Sequence, residues 1–443
     1  MNITLNKKLN HHQKNNLYRH RRIRKHAETQ VNFSSNDYLS LSKHPELIQS
    51  FQTAAKKYGV GSGASQLITG HYDAHHDCEF AFAEFLKRDR ALLFGNGYMA
   101  NLGVIDALTD TGDVIFQDRY NHASLLDGGR FSKANSQRYF HCNMEDLDKR
   151  LKKSSAKNHL LISDAVFSTD GNITPITTLS KIAKKYRASL MIDDAHGIGV
   201  LGKNGGGTLE TCKLSQEDSP VLVCPLGKAF ASYGAIVSGS TSLIETLIQF
   251  SRSYIYTTAL PPALAAANLT SLALIQKESW RREKLQSLII FFKEKAAERG
   301  IVLRPSNTPI QAIKIGDPIK AIQISEQLYQ KGFLVSALRP PTVAMGESIL
   351  RVTLNTSHNE QDIVRCLDAF ILSSQFKNTP HPNPLPQGER GLAVPERKMR
   401  SHKTQSPLSL QEGTGRARAK NEISRNTVPS PLAGRDWPCQ GEK

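Results

Sequence analysis

Six short apolar runs punctuate the chain, at residues 91–94, 113–116, 159–163, 190–193, 220–223 and 234–238. None shows the sustained alternation of apolar and polar positions that a strand with one wet face would carry. Each suits a strand buried on both faces of a sheet. Between the runs, apolar residues recur at helical spacing, as in 77–86 and 178–186. Strand and helix in alternation predict an α/β fold built on a mostly parallel sheet. A long helix is expected over roughly residues 262–299, bridging to a second domain. The expected organisation is an N-terminal segment at 1–45, a large domain at 46–284 and a smaller C-terminal α+β domain at 285–375. Residues 376–443 break the pattern. They hold 9 of the 20 prolines and only two aromatics, Phe376 and Trp437. So few apolar residues cannot offset the entropy of ordering, which predicts a disordered low-complexity tail.

Composition narrows the class. A chain of 443 residues, 39 % hydrophobic and 22 % charged, can bury a sizeable core. No apolar run approaches the ~18 residues of a membrane span, so no membrane partner is expected. The first 26 residues are basic and lack the apolar stretch of a signal peptide. Six cysteines without CxxC spacing read as reduced thiols in a cytoplasmic protein, with neither a disulfide frame nor a metal site. The net charge of +17 raises the question of nucleic acid. Its distribution argues against that partner. Eight Lys and Arg precede the first acid, Glu28, and the stretch after residue 375 holds 12 Lys and Arg against 6 acids. Charge gathered at the two ends is not a designed binding face. The basic start reads instead as a helix, part of which faces an anionic substrate.

In open α/β sheets, ligands bind beyond the carboxyl ends of the strands. The chemistry-bearing residues follow the predicted strand ends: the turn GNGY at 95–98, Ser168, Asp193 to His196, and Lys228. An apolar strand ending in Asp193, and a second one followed by Gly227 and Lys228, match the needs of a pyridoxal phosphate site. The lysine amine bonds the cofactor aldehyde. The aspartate keeps the pyridine nitrogen protonated, so that the ring accepts an electron pair. His196 reaches the ring hydroxyl from the same loop. Carbanion chemistry on an amino acid is the expectation. A competing string, GIGVLG at 197–202, has dinucleotide spacing. It runs into KNGGG at 203–207 rather than opening a helix, so no dinucleotide site is expected.

Over roughly residues 9–375 the chain resembles the α-oxoamine synthase family of pyridoxal phosphate enzymes. The likeness rests on NFSSNDYL at 32–39 with His44-Pro45, GSGAS at 61–65 with Thr69-Gly70-His71, NHASL at 121–125, VFSTDG at 166–171, the Asp193 and Lys228 segments, Tyr256-Thr257-Thr258, and RPPTV at 339–343 with Arg351. The resemblance implies an aspartate-aminotransferase-like fold and a homodimer with a shared active site. It implies His122 against the cofactor ring, Gly97 and Tyr98 at the cofactor phosphate, and Ser168 in the cofactor pocket. Thr258 would reach the phosphate across the dimer. Arg351 would bind the amino-acid carboxylate, with Arg19 and Arg339 near the acyl substrate. The members it resembles most join L-alanine to a pimeloyl thioester, of CoA or of acyl-carrier protein, with loss of carbon dioxide. The shared motifs leave room for relatives such as glycine C-acetyltransferase, and for a paralogue that binds cofactor without turnover. Two positions depart from the family's usual residues. Pro225 replaces a hydroxyl residue three positions before the lysine, and Ala231 stands where glycine is common. The stretch YDAHHD at 72–77 is also unlike the family's usual continuation.

Overall fold

The computed structural model describes residues 2–14, 17–19, 21–24 and 29–374. The tail expected to be disordered, 376–443, lies outside the described residues. In chain order the first strands are β1 (Val31–Asn32), β2 (Arg90–Phe94), β3 (Val114–Asp118), β4 (Asn135–Tyr139), β5 (His159–Asp164) and β6 (Ser189–Asp193). They are followed by β7 (Val221–Pro225), β8 (Ala235–Gly239), β9 (Ile310–Gly316), β10 (Phe333–Leu334), β11 (Ser336–Leu338) and β12 (Ser348–Thr353).

Seven strands form the central sheet, in the order β2-β8-β7-β6-β5-β3-β4. Only β8 runs against its neighbours. All the other pairings are parallel. The six apolar runs are the six interior or well-covered strands. Successive side chains point to opposite faces, and both faces are dry. Leu93, Phe116, Leu161, Ile192, Leu222 and Ile236 enter one core cluster. Leu92, Ile115, Ile162, Met191, Val223 and Val237 enter a second one. Each such side chain contributes about 1.5–3 kcal/mol through burial. The strand β4 escapes the sequence pattern. Its residues, NSQRY, are polar, and only Tyr139 is buried. It forms because β3 offers a free edge, and its polar outer residues suit an edge strand.

The expected long helix is two, Pro262–Lys277 and Trp280–Glu298. The break falls at Glu278, whose backbone leaves the helical region at φ −106° and ψ 60°. No glycine or proline marks it. Side-chain contacts hold it instead. Glu278 accepts a 2.5 Å bond from Arg281 and lies 3.6 Å from His44 Nε2, while Arg281 also donates to the Leu39 carbonyl at 2.9 Å. Beyond the second helix, β9, β12 and β11 form an antiparallel sheet. The helix Pro318–Gln330 packs on it, and the helix Glu360–Ser374 packs against Pro318–Gln330 and Trp280–Glu298. Arg351 sits in the middle strand of that sheet, opposite Ser336 and Ala312.

Candidate active site

The carboxyl ends of β5, β6 and β7 carry Asp164, Asp193 and Pro225, and Lys228 follows three residues later. Asp193 is buried. Its Oδ2 accepts 2.6 Å from Asn101 Nδ2, and its Oδ1 accepts 3.0 Å from the Ala195 backbone N–H. Asn101 also donates to Ser124 Oγ at 2.8 Å. The aspartate is thus fixed from two elements and has a defined direction. His122 caps the helix Ala123–Phe131. Its backbone N–H donates to Asp164 Oδ2 at 2.5 Å, and its Nδ1 pairs with Ser124 Oγ at 2.8 Å. The Asn121 side chain ties this turn to β5 through Ile162 and Asp164. On the other side, His196 Nδ1 meets the Tyr38 hydroxyl at 2.6 Å. Arg351 Nη2 donates to Asn36 Oδ1 at 3.0 Å. Arg351 is buried, and its Nε has no partner among the described residues.

These groups perturb one another. Lys228 is half-buried as a residue, and the burial of its amine pulls its pKa below the ordinary lysine range. Asp193 and Asp164 oppose that fall, and Arg351 adds to it. Burial also drives His196 well down, helped by Lys228 and Arg351, and it pushes the Tyr38 hydroxyl up to about 12. Asp164 is driven well above the usual carboxylate range, first by burial and then by the charge of Asp193. His122 is exposed as a residue, yet enough protein surrounds its ring to lower its pKa. A cluster of this kind, with a softened lysine and a neutral histidine, is what acid–base work near neutral pH requires.

Gly97 and Tyr98 open the helix Gly97–Leu108, capped by Asn96, whose Oδ1 accepts from Met99 N–H at 2.9 Å. Helix N-termini of this kind hold phosphate on free N–H groups. A side chain at Gly97 would place its Cβ 2.6 Å from Pro225 Cγ. The departure at Pro225 thus packs directly against the turn. Tyr98 is exposed and shares a short hydrogen bond with Asp127. Ser168 is half-buried and Thr258 exposed, and neither hydroxyl has a partner among the described residues. Arg339 donates to the Tyr18 carbonyl at 2.6 Å, and Arg19 reaches Thr342 Oγ1 at 3.5 Å. The segment 17–19 is therefore folded against the 339–342 loop, and the two arginines are close enough for Arg19 to lower the pKa of Arg339 further after burial.

The string at 197–202 forms turns and not a helix start, in keeping with the sequence reading. Asp194 anchors it by accepting from Thr208 N–H at 2.7 Å. The unusual stretch 72–77 is a helix start. His75 Nδ1 accepts from Tyr72 N–H at 3.0 Å, and its Nε2 meets the Leu260 carbonyl at 2.6 Å. Ala231 stands at φ +53°, the left-handed region that favours glycine. The sequence reading passed over Asn101, Asp164 and Tyr38. Tyr38 lay within a quoted motif. Asn101 is a polar residue on a buried helix face, which is a signal in itself.

The residues fit pyridoxal phosphate. A buried carboxylate, a softened lysine and a helix N-terminus gather at the carboxyl end of the central sheet, and the buried Arg351, with an unpaired Nε, reaches their field from β12 of the smaller sheet. Fold and site define a pyridoxal phosphate enzyme. Residues 28–370 match the aminotransferase class I and II family, and the chain belongs to it. It is 48 % identical to the 8-amino-7-oxononanoate synthase of Saccharophagus degradans, over 83 % of this chain and 95 % of that one. It is 52 % identical to the enzyme of that name from Pseudomonas syringae pv. tomato, over 76 % and 85 %. Among solved structures it is similar to the 8-amino-7-oxononanoate synthase of Francisella tularensis, with a TM-score of 0.68, 34 % identity and coverage of 77 % and 97 %. It is also similar to a serine palmitoyltransferase from S. paucimobilis with bound PLP, with a TM-score of 0.78, 26 % identity and coverage of 84 % and 96 %.

Proposed function

We infer that this chain condenses L-alanine with a pimeloyl thioester, releasing carbon dioxide and the carrier thiol and giving 8-amino-7-oxononanoate. The observation that carries the reading is the convergence of Lys228, Asp193, His196 and Arg351 at the carboxyl end of the sheet, in a chain about half identical to enzymes of that name. Pyridoxal phosphate supplies the electron sink that makes the bonds at the amino-acid Cα labile. The rest falls to the protein. Lys228 Nζ, its pKa lowered by burial, would take the Cα proton and later return it. The Asp193 carboxylate, held by Asn101 and Ala195, would hold a proton on the pyridine nitrogen. His122 would lie against the ring, and His196, oriented by Tyr38, would meet its hydroxyl. Gly97 and Tyr98 would hold the phosphate, with Ser168 lining the pocket. Arg351 offers its free Nε beside Nη2, the fork that binds a carboxylate in a bidentate way.

Arg19 and Arg339 form the second cationic pair, suited to the far carboxylate of the pimeloyl chain. The exposed Thr258 hydroxyl supports a homodimer in which it completes the partner's phosphate site. The described cysteines are unpaired, which suits a cytoplasmic enzyme. The test is thiol release from a panel of acyl thioesters and small amino acids. Pimeloyl-CoA with L-alanine should be the best CoA pair. If acetyl-CoA with glycine is the best pair, the chain is a glycine C-acetyltransferase instead.

A further inference from the structure

A buried polar chain joins the two larger sheets. Arg351 stands in β12 of the smaller sheet, and His196 follows β6 of the central one. Asn36 and Tyr38 lie between them. Arg351 Nη2 donates to Asn36 Oδ1 at 3.0 Å, and the Tyr38 hydroxyl meets His196 Nδ1 at 2.6 Å. The same hydroxyl lies 3.4 Å from Asn36 Oδ1. Arg351, Tyr38 and His196 are 8, 0 and 5 % exposed, so bulk water does not compete for these bonds. The loop that carries Asn36 and Tyr38 is pinned from both sides. Asp37 accepts from the backbone N–H groups of Leu41 and Ser42 at 2.9 and 3.1 Å. The Tyr38 carbonyl accepts from Thr356 N–H at 3.0 Å.

An inventory of donors gives the chain a direction. A guanidinium only donates, and Arg351 already serves Asn36 Oδ1. The Tyr38 hydroxyl has one proton, and its shorter contact is with His196. Burial keeps that hydroxyl protonated, with its pKa pushed up to about 12. The imidazole stays neutral, driven well down by burial and then by Lys228, Arg351 and His122. A neutral imidazole carries one N–H and one bare nitrogen. The reverse arrangement would send the Tyr38 proton to the 3.4 Å contact, on an oxygen that Arg351 occupies.

We propose that Tyr38 is a positioning residue: by donating to Nδ1 it locks His196 as the Nε2–H tautomer, so that His196 presents a donor and not a bare nitrogen to the ring oxygen of the cofactor. The proposal deepens the function inferred above and rests on it. A bare Nε2 would repel that oxygen, whereas an N–H stabilises its anionic form. A short bond accepted at Nδ1 also polarises the ring and makes Nε2–H the better donor. Asn36 and Arg351 hold the direction from the other end, so the arginine proposed for the amino-acid carboxylate and the cofactor ring share one chain of bonds.

The test compares the parent with Tyr38→Phe, which keeps the buried ring and removes only the hydroxyl. Nitrogen NMR of cofactor-free protein labelled at histidine is the first readout, with His196 assigned by its loss in His196→Asn. The parent should show a bare Nδ1 and a protonated Nε2, and Tyr38→Phe a mixture of both tautomers. The second readout is the pH midpoint of the visible absorbance of bound cofactor in the holoenzyme. Tyr38→Phe should raise it by about half a unit or more, because the anionic ring oxygen loses support. In a His196→Ala background the same change should add no shift, since Tyr38 acts through His196. A parent proton on Nδ1, a midpoint that moves by less than about 0.2 unit, or equal shifts in both backgrounds would each overturn the proposal. A lowered melting temperature with ring signals and midpoint unmoved would make Tyr38 a packing residue and overturn it too. The parent's tautomer decides the matter even if the variant does not fold. A parent without cofactor absorbance would sink the inferred function, while the ring signals would still decide the tautomer.

Discussion

At the residue scale, two positions invite measurement. Pro225 offers the phosphate site neither a hydroxyl nor an N–H, and its ring fills the space above Gly97. Pro225→Thr should therefore tighten cofactor binding by about 1–2 kcal/mol through one charge-assisted hydrogen bond. Titration of the apo-protein checks this, and unchanged affinity would mean that another group already serves the phosphate. Lys228 gives a pH prediction. Its folded-state pKa lies below that of the unfolded chain, chiefly through burial. Between the two values the unfolded state binds more protons, so this group's contribution to stability rises with pH across that window and is unfavourable below it. Apo Lys228→Met should accordingly gain stability relative to the parent as pH falls from about 10.5, the usual lysine value. Denaturant melts at several pH values measure it, and a difference independent of pH would refute the buried-amine account. Among site residues, Lys228, Asp193 and His196 were legible because strand ends and short spacings point at them. Asp164 carries the same strand-end signal after the 159–163 run, but its bond with the His122 N–H is seen only in the fold.

The element scale shows what patterning can and cannot deliver. The six apolar strands were readable because both of their faces are buried. The strand β4 was not, because an edge strand takes its hydrogen bonds from β3 and needs little apolar content. The break at Glu278 depends on His44 and Arg281, contacts that no local pattern encodes. The odd stretch 72–77 proved to be a helix start in which His75 serves the backbone. The turn carrying Lys228 yields a prediction. Ala231, whose N–H bonds the Lys228 carbonyl at 2.8 Å, pays for its left-handed backbone at φ +53°. Ala231→Gly relieves that strain, less the greater chain entropy of glycine, for a net gain of about 0.5–1 kcal/mol. A thermal melt of the apo-protein should shift upward. A downward shift would mean that the methyl's packing outweighs the strain.

At the scale of the whole molecule, the surplus charge of +17 is accounted for by its location more than by its size. The segment 17–19 brings Arg19 to the loop of Arg339, and Arg119 with Arg138 lines a cavity beside the site. The family match ends at residue 370 and the described fold at the helix Glu360–Ser374. Removal of residues 376–443 should therefore leave the cooperative melt and most of the turnover intact. Loss of either would show that the fold depends on that segment. The fold class was legible in the alternation of strand and helix. The family resemblance implies Arg19 and Arg339 near one substrate, but the bonds that join residues 17–19 to the 339–342 loop are seen only in the folded chain.

The central claim is that Lys228 performs the proton transfer and holds the cofactor in a condensation of L-alanine with a pimeloyl thioester. The most direct measurement is 8-amino-7-oxononanoate formation by parent and Lys228→Ala protein under identical conditions, with a thermal melt of each. The expected result is product from the parent, a fall of about 10⁴-fold or more in the variant, some 5.4 kcal/mol of barrier, and melts that remain cooperative. Turnover by the variant within tenfold of the parent would contradict the account.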